Sequence, residues 1–596
     1  MKYTSLPEMF FEVCNRYKDE PSLHEKKEGE FIGITYDEFK RKVEYCSSGL
    51  ISLGLQKDDK VSIYSENFSA WAVSDFSIMT CGGITVTIFP TLPAAQAKYI
   101  LFHSESEYVF VGKKIQLEKV LGIRSELKNL KRIITFFDFD DPSFPEIMSF
   151  KKLLDIGKED YPKNKDIISE RINSINSDDV ASFIYTSGTT GHPKGAMLTH
   201  QNFVSNVEVC STIFPIDHKD IFLSFLPLSH VFERTAGHFL PIYIGASIYY
   251  AEKAEKVSDN LPEVRPTVMV SVPRLYEKMH EKVLNKVEKD SFLKRKIFSY
   301  CIKVGNKHSK ALDKGKVNKL LKSRFKLADK LVFSKLKERV GGRIRFFISG
   351  GAALASEINE FFKNADLKIY EGYGLTETAP VIAANTPEKS KVGTVGLPIA
   401  GVNVKIAEDG EILVRGDNVM KGYYRDEIAT KECIDEDGWF YTGDIGFFDD
   451  EGLLTITDRK KNIIVLDNGK NVAPQPIESL LLGSKYISQI LLFGDERKFI
   501  SGLIVPNFEF LKDYANSHNI SYSGIEDIVK DEEITDLFKS EIETLSIDLA
   551  NFEKVKRFTL LNGEFTIENG EMTPSLKLKR KVIEENNKDL IDKMYN

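Results

Sequence analysis

Short apolar runs separated by polar, glycine-rich turns recur through the first 390 residues. DKVSIYSEN (59–67), GGITVTIFPTLP (82–93), VASFIY (180–185) and DIFLSFLP (220–227) read as buried strands, as do ASIYYAE (246–252), TVMVSV (267–272), RIRFFISGG (343–351) and LKIYEGYG (367–374). Helices are expected between them. TLPAAQAKYILFHSE opens one, and Thr199 reads as the N-cap of another that carries Phe203, Val204 and Val207. This βα alternation predicts a mostly parallel sheet with helices on its faces, where ligands collect at the carboxyl ends of strands. From about residue 392 the texture changes to short alternating strands with Gly and Asp turns, which predicts a small antiparallel subdomain. Residues 459–596 resume βα alternation and read as a second, smaller domain.

Charge adds one feature. The whole chain carries 81 basic and 88 acidic residues, net −7, which does not suggest a nucleic-acid binder. Residues 278–345 hold 22 basic and 6 acidic residues, a local +16 that leaves −23 on the rest. Val317, Leu320, Leu321, Ala328, Leu331, Val332 and Leu336 recur there at helical spacing. Two readings stand side by side, a solvated helical hairpin and a face toward anionic membrane. The six cysteines show no paired spacing and are expected as reduced thiols of a cytoplasmic protein. No signal peptide is visible, and no run reaches the ~18 apolar residues of a membrane span. Any membrane contact is expected to be peripheral.

The chemistry centres on YTSGTTGHPKG, residues 185–195. Glycines let backbone N–H groups converge on phosphate oxygens, hydroxyls add donors, and lysine adds charge. A strand, this loop and then a helix would make an anion-binding device. The spacing is not that of the ordinary NTPase loop, because Pro193 stands five residues after Gly188.

This loop resembles the phosphate loop of the adenylate-forming superfamily. Further signatures follow in the family's order: SGGAAL (349–354), EGYGLTET (371–378), YTGD (441–444), TDRKKNIIV (457–465) and TPSLKLKRK (573–581). LPLSHVFER (226–234) and VPRLYEKM (272–279) resemble the long-chain fatty acyl-CoA synthetase branch.

The resemblance implies an α/β fold. A large N-terminal domain of βα subdomains plus a small β subdomain (1–458) is hinged at Asp458 to a smaller α+β C-terminal domain (459–596). It implies ATP, Mg2+ and coenzyme A as cofactor and co-substrates, and a long-chain fatty acid as substrate. Thr186, Ser187, Gly188, Thr189, Thr190, Gly191 and Lys194 would hold phosphates, with Thr186 and Glu377 also on Mg2+. Gly350, Gly351, Ala352, Gly372, Tyr373, Gly374 and Thr376 would line the adenine and acyl-phosphate site. Asp444 and Arg459 would bind the nucleotide, Asp444 at the ribose hydroxyls. Lys577, Glu377, Thr376 and His230 are the expected catalytic residues, with His230 guarding the acyl carboxylate. Gly469 and Lys470 would line the thiol tunnel after the small domain rotates. Arg234 and Arg274 have no role assigned. Neither Trp71 nor Trp439 lies near PLSH in the chain, so a tryptophan gate has no evident counterpart. Two other readings remain: a fatty acyl-AMP ligase loading a carrier protein, and a non-catalytic membrane-bound lipid-binding scaffold.

Overall fold

The computed structural model describes residues 2–139, 141–186, 193–566, 568–573 and 578–596. Among these, two large sheets form the N-terminal domain. The first runs Gly422–Tyr423, Lys194–Thr199, Val180–Thr186, Ile84–Ile88, Lys60–Tyr64, Tyr108–Val111, Arg132–Thr135 and Ile147–Ser149. Its six strands from Val180–Thr186 onward are mutually parallel, and the other two are added antiparallel. In the second sheet, Lys368–Gly374, Phe346–Ser349, Val268–Ser271, Ile221–Ser224, Ser247–Tyr250 and Pro21–Lys27 are parallel neighbours in that order. The middle strands are buried along their whole length, as the continuous apolar runs require when helices cover both faces.

The two sheets are joined through a buried ion pair. Asp75, on the helix Ser69–Thr80, accepts from Arg234 Nε at 3.0 Å, and Arg234 Nη1 donates to Ser182 Oγ at 2.6 Å on the first sheet. Both charged side chains are fully buried. Trp71, Phe203 and Phe239 pack around the guanidinium with centroids 5.3–5.6 Å away. Removing one partner would strand a buried charge, so Arg234 is a core residue. Trp71, distant from PLSH in sequence, is brought by the fold against Arg234 and His238, where it is fully buried.

A four-stranded antiparallel sheet, Val402–Ile406, Glu411–Gly416, Phe440–Phe448 and Leu454–Arg459, forms the small subdomain. Beyond it lies an α+β unit. Ile487–Phe493, Ile500–Pro506 and Val555–Leu560 make its sheet, and Pro474–Leu481, Phe508–Ser517 and Glu532–Leu545 are among its helices. The six cysteines are free, and Cys433 alone among them is not fully buried.

Candidate active site

Two groups of side chains meet where strands of the N-terminal sheets end. The first grows from the strand Val180–Thr186. The expected order of strand, loop and helix is corrected here. Lys194–Thr199 pairs antiparallel with Val180–Thr186, and Thr186 stands opposite Lys194. The helix His200–Ile213 starts only after this second strand and so does not follow the loop directly. The ladder offered by Val180–Thr186 makes KGAMLT a strand, and the Thr199–Asn202 capping box then opens the helix as expected. Ser187, Gly188, Thr189, Thr190 and Gly191 lie outside the described residues.

Thr376 and Glu377 sit on a single 3-10 turn, Thr376–Thr378, directly after the strand Lys368–Gly374. Gly374 has to be glycine here, because an added Cβ would stand 1.9 Å from the Pro380 carbonyl oxygen. The short strand Gly422–Tyr423 pairs with Lys194–Thr199, and Met420 N–H donates to the Glu377 carbonyl at 2.8 Å. Segment 420–423 therefore stitches Glu377 to the strand of Lys194. Tyr423 OH donates to Glu377 Oε1 at 2.7 Å, and Lys194 Nζ lies 5.2 Å from the centre of the Tyr423 ring. Burial, with Glu377 beside it, pushes the Tyr423 phenol above its ordinary range. Burial and then Glu377 push the Cys433 thiol up to about 12, with Lys194 opposing. Tyr423 was not foreseen; its only trace is a tyrosine in GYY at 422–424.

The second group joins Tyr373, Asp444 and Arg459. Tyr373 OH donates to Asp444 Oδ2 at 2.7 Å, and Arg459 Nε stands 3.0 Å from Asp444 Oδ1. Asp444 and Arg459 are direct partners in the antiparallel ladder. Tyr373 is only 8% exposed and packs on Ile382, Ile412 and Val414, so most of its ring faces protein. Each carboxylate oxygen can accept a second donor, which leaves Asp444 capacity for hydroxyl groups. Lys461 also belongs to this region. Burial and then Arg459 hold its ammonium below the usual range, while Asp444 and Glu377 counteract this.

One wall is made by the loop after Phe346–Ser349, which is parallel to Lys368–Gly374. Gly350 packs so closely on Phe232 that a Cβ would lie 2.9 Å from the ring, and Gly351 adopts φ +84°. Ala352 is exposed. Glu371 holds this loop: it accepts from Leu354 N–H at 3.3 Å and Asn359 Nδ2 at 2.8 Å, and burial lifts it to about 7. His230 lies in the turn leading to Phe232, whose N–H donates to His230 Nδ1 at 3.2 Å. That turn is clamped from the first sheet. Asn67 donates to the Leu226 carbonyl at 2.7 Å and accepts from Leu228 N–H at 3.0 Å, while Thr87 Oγ1 donates to the Ser229 carbonyl at 3.0 Å.

Asp458 and the thiol-tunnel residues are placed differently from each other. Asp458 is fully buried. Its Oδ1 accepts from Arg459 N–H and its Oδ2 from Gln475 N–H, both at 2.7 Å, anchoring the helix Pro474–Leu481. Gly469 has φ +77°, and Lys470 Nζ lies 4.5 Å over Phe552 of its own domain. Lys470 lines a cavity of about 270 Å³ together with Leu466, Lys498 and Phe499, so in this arrangement it faces the C-terminal domain. Arg274, left open by the sequence, donates to the Ser488 carbonyl of that domain at 3.2 Å. Lys577 lies outside the described residues.

Among the described residues no group of three His, Cys, Asp or Glu could hold a metal. The available donors are the half-buried Glu377 carboxylate and the Thr186 hydroxyl. That sparse oxygen set fits Mg2+, which keeps several waters and completes its shell with phosphate oxygens.

Comparison with known proteins identifies the family. The chain is 34% identical over 574 residues to a long-chain-fatty-acid–CoA ligase of Mycobacterium bovis, covering 96% of this chain and 93% of that one. It is 33% identical to a peroxisomal long-chain acyl-CoA synthetase of Arabidopsis thaliana, over 95% and 82% of the two chains. An anthranilate CoA ligase solved with anthranoyl-AMP shares the fold, with TM-score 0.74, 17% identity and coverage of 99% and 98%. So does the adenylation domain of a carboxylic acid reductase from Segniliparus rugosus, with TM-score 0.73, 18% identity and coverage of 100% and 94%. The family described as AMP-binding enzyme matches residues 10–424, and its C-terminal domain matches 461–596, so the chain belongs to the AMP-binding enzyme family.

Proposed function

We propose that this chain is an ATP-dependent long-chain fatty acid–CoA ligase working through an acyl-AMP. The observation that carries the reading is the convergence of Thr186, Lys194 and Glu377 through Tyr423, beside the Tyr373–Asp444–Arg459 group. The fatty acid as substrate comes from the names of the full-length relatives.

In the first step a carboxylate attacks the α-phosphate of ATP, releasing pyrophosphate. Both reactants are anions, so placed cations and dipoles must offset their repulsion. Lys194 supplies one such cation, and Lys461, with Asp444 and Glu377 among its charged neighbours, supplies a second. Lys577, from the second domain, is the proposed third. Thr186 and Glu377 would hold Mg2+, which would neutralise phosphate charge. Asp444 would accept from the ribose hydroxyls, and Tyr373 fixes that carboxylate through its phenol. His230, held by the Asn67 clamp, would border the acyl carboxylate. In the second step the small domain turns about Asp458, Gly469 and Lys470 approach the site, and the thiol of coenzyme A takes the acyl group with loss of AMP. The substrate partner is thus a long-chain fatty acid.

Fatty-acid-dependent ATP–pyrophosphate exchange followed by acyl-CoA formation tests the reading. Exchange that stalls at acyl-AMP with free coenzyme A would favour the carrier-loading alternative. Absence of exchange with any fatty acid would leave the non-catalytic lipid-binding alternative.

A further inference from the structure

The chemistry leaves one conspicuous surface unused. Within the basic segment, two antiparallel helices, Phe292–Asp313 and Lys319–Ala328, lie over the second sheet. Their inner side is fixed. Cys301, Val304, Ala328 and Phe333 are buried in one cluster with Phe361 and Phe362. Gly305 approaches the helix Ser356–Asn364 so closely that a Cβ would stand 2.4 Å from the Asn364 carbonyl oxygen. The His308 ring stacks on Phe325 at 4.0 Å. The pair of helices is thus a rigid part of the domain, not a loose basic arm.

Its outer side is unlike an ordinary solvated face. Phe292, Leu293, Tyr300, Leu320, Leu327 and Leu331 are each between 43% and 68% exposed. Leu320 and Leu327 lie seven residues apart on one side of the second helix, and Leu331 follows in the π-helical segment Asp329–Phe333 that continues it. Singly exposed leucines need no explanation, but a stripe beside a second exposed aromatic helix does. Between Phe292 and Lys326 stand twelve basic residues and one acidic residue, Asp313, which already pairs with Lys363 at 2.8 Å. Among the described residues, Lys303, Lys307, Lys310, Lys319, Lys322 and Lys326 have no ion-pair partner. Lys296 Nζ lies 4.5 Å over the Phe292 ring, so cation and apolar surface share one site. No described helix is long and apolar enough to cross a membrane.

We infer that the outer face of helices Phe292–Asp313 and Lys319–Ala328 docks on an anionic lipid bilayer. Lysine stems lie along the interface with their ammonium groups at phosphate level, while Phe292 and the Leu320–Leu327–Leu331 stripe enter the acyl boundary. The remainder of the chain carries −23 and is repelled, which orients the molecule with this face down. The inference rests on the proposed ligase function for its purpose, since long-chain fatty acids partition into bilayers, but its geometry does not. A polyanion such as nucleic acid would use the lysines and leave the leucine stripe idle.

The full chain is tested by co-sedimentation with vesicles of phosphatidylglycerol and phosphatidylcholine, against phosphatidylcholine alone. Binding to the anionic vesicles only is expected, and release in 1 M salt, where the Debye length falls from about 10 Å to about 3 Å. The triple change Lys319→Glu, Lys322→Glu, Lys326→Glu should weaken binding on the order of tenfold or more. The exposed pair Leu320→Ser, Leu327→Ser should weaken it several-fold with melting unchanged. Binding indifferent to lipid charge overturns the inference. So does binding that loses to duplex DNA and ignores the leucine pair. Ligase activity is assayed in parallel on albumin-delivered fatty acid without vesicles. Activity retained while vesicle binding is absent refutes docking alone; vesicle binding without activity refutes the ligase reading and upholds the docking face.

Discussion

Tyr423 donates its phenolic hydrogen to Glu377 Oε1 at 2.7 Å, and that one bond joins the turn after the second sheet to the edge of the first. Lys194 Nζ stands 5.2 Å from the centre of the same ring. The tyrosine therefore aims the carboxylate proposed for Mg2+ and spaces it from the proposed phosphate lysine. Tyr423→Phe keeps the ring and removes the donor. A hydrogen bond to a charged group contributes about 1.5–3 kcal/mol, or roughly tenfold to a hundredfold. Adenylation should fall by that order, with a raised Mg2+ requirement. An unchanged Mg2+ titration would show that Tyr423 does not orient Glu377.

Stability should depend on pH through the core. Burial lifts Glu233 from 4.5 to about 8, against a hydrogen bond from Ser224 at 2.5 Å. An acid raised in the fold contributes stability that is complete below about 4.5 and is lost as pH rises through about 8. Burial lowers His280 to about 4 and His200 to about 3. Their contribution has the opposite sign, present above 6.5 and lost as pH falls. The melting temperature should therefore decline on both sides of a weakly acidic maximum. Glu233→Gln should flatten the decline between pH 5.5 and 8.5 by an amount that scales with about 1.4 kcal/mol per pKa unit. Parallel curves for the two proteins would mean that Glu233 does not carry this dependence.

Much of this was legible before any coordinates. Continuous apolar runs mark strands buried on both faces, and they fell where expected because burial leaves little choice of residue. The motif residues Tyr373, Asp444 and Arg459 are joined as a group, although only their separate motifs were visible. What escaped was what tertiary contact decides. Lys194–Thr199 becomes a strand because Val180–Thr186 offers it a ladder. Tyr423 and Asn67 act through partners 46 to 161 residues away in sequence, and Lys461 has the distant Asp444 and Glu377 among its charged neighbours, which no local pattern encodes.

Asp458 is the proposed pivot. Its two oxygens hold Arg459 N–H and Gln475 N–H, so the proposed rotation of the small domain would pass through this residue or carry it along. Asp458→Pro fixes φ near about −65° and removes the carboxylate. Acyl-AMP should accumulate while thioester formation slows. Lys577→Ala should do the reverse: adenylation falls by about 10²–10³, and thioester formation from supplied acyl-AMP is spared. Lys579→Ala is the control. Normal turnover in Asp458→Pro would exclude it as the pivot, and an equal loss of both half-reactions in Lys577→Ala would exclude a lysine used once per cycle.

The contact between the domains should be easy to break, and breaking it should favour one half-reaction. The helix Pro273–Glu288 faces the small domain along its length. Arg274 reaches the Ser488 carbonyl, Glu281 accepts from Asn507 Nδ2 at 2.5 Å, Glu288 pairs with Lys485, and the following Lys289 pairs with Glu509 at 2.7 Å. Exposed ion pairs contribute about 0–1 kcal/mol each, so a few of them hold an arrangement without locking it. Lys470 faces its own domain here, which suits the first half-reaction and not the second. Lys485→Ala combined with Asn507→Ala should therefore slow ATP–pyrophosphate exchange by roughly tenfold, the factor set by about 1.4 kcal/mol. Thioester formation from supplied acyl-AMP should hold steady or rise. If exchange were untouched and thioester formation fell instead, this arrangement would belong to the second step.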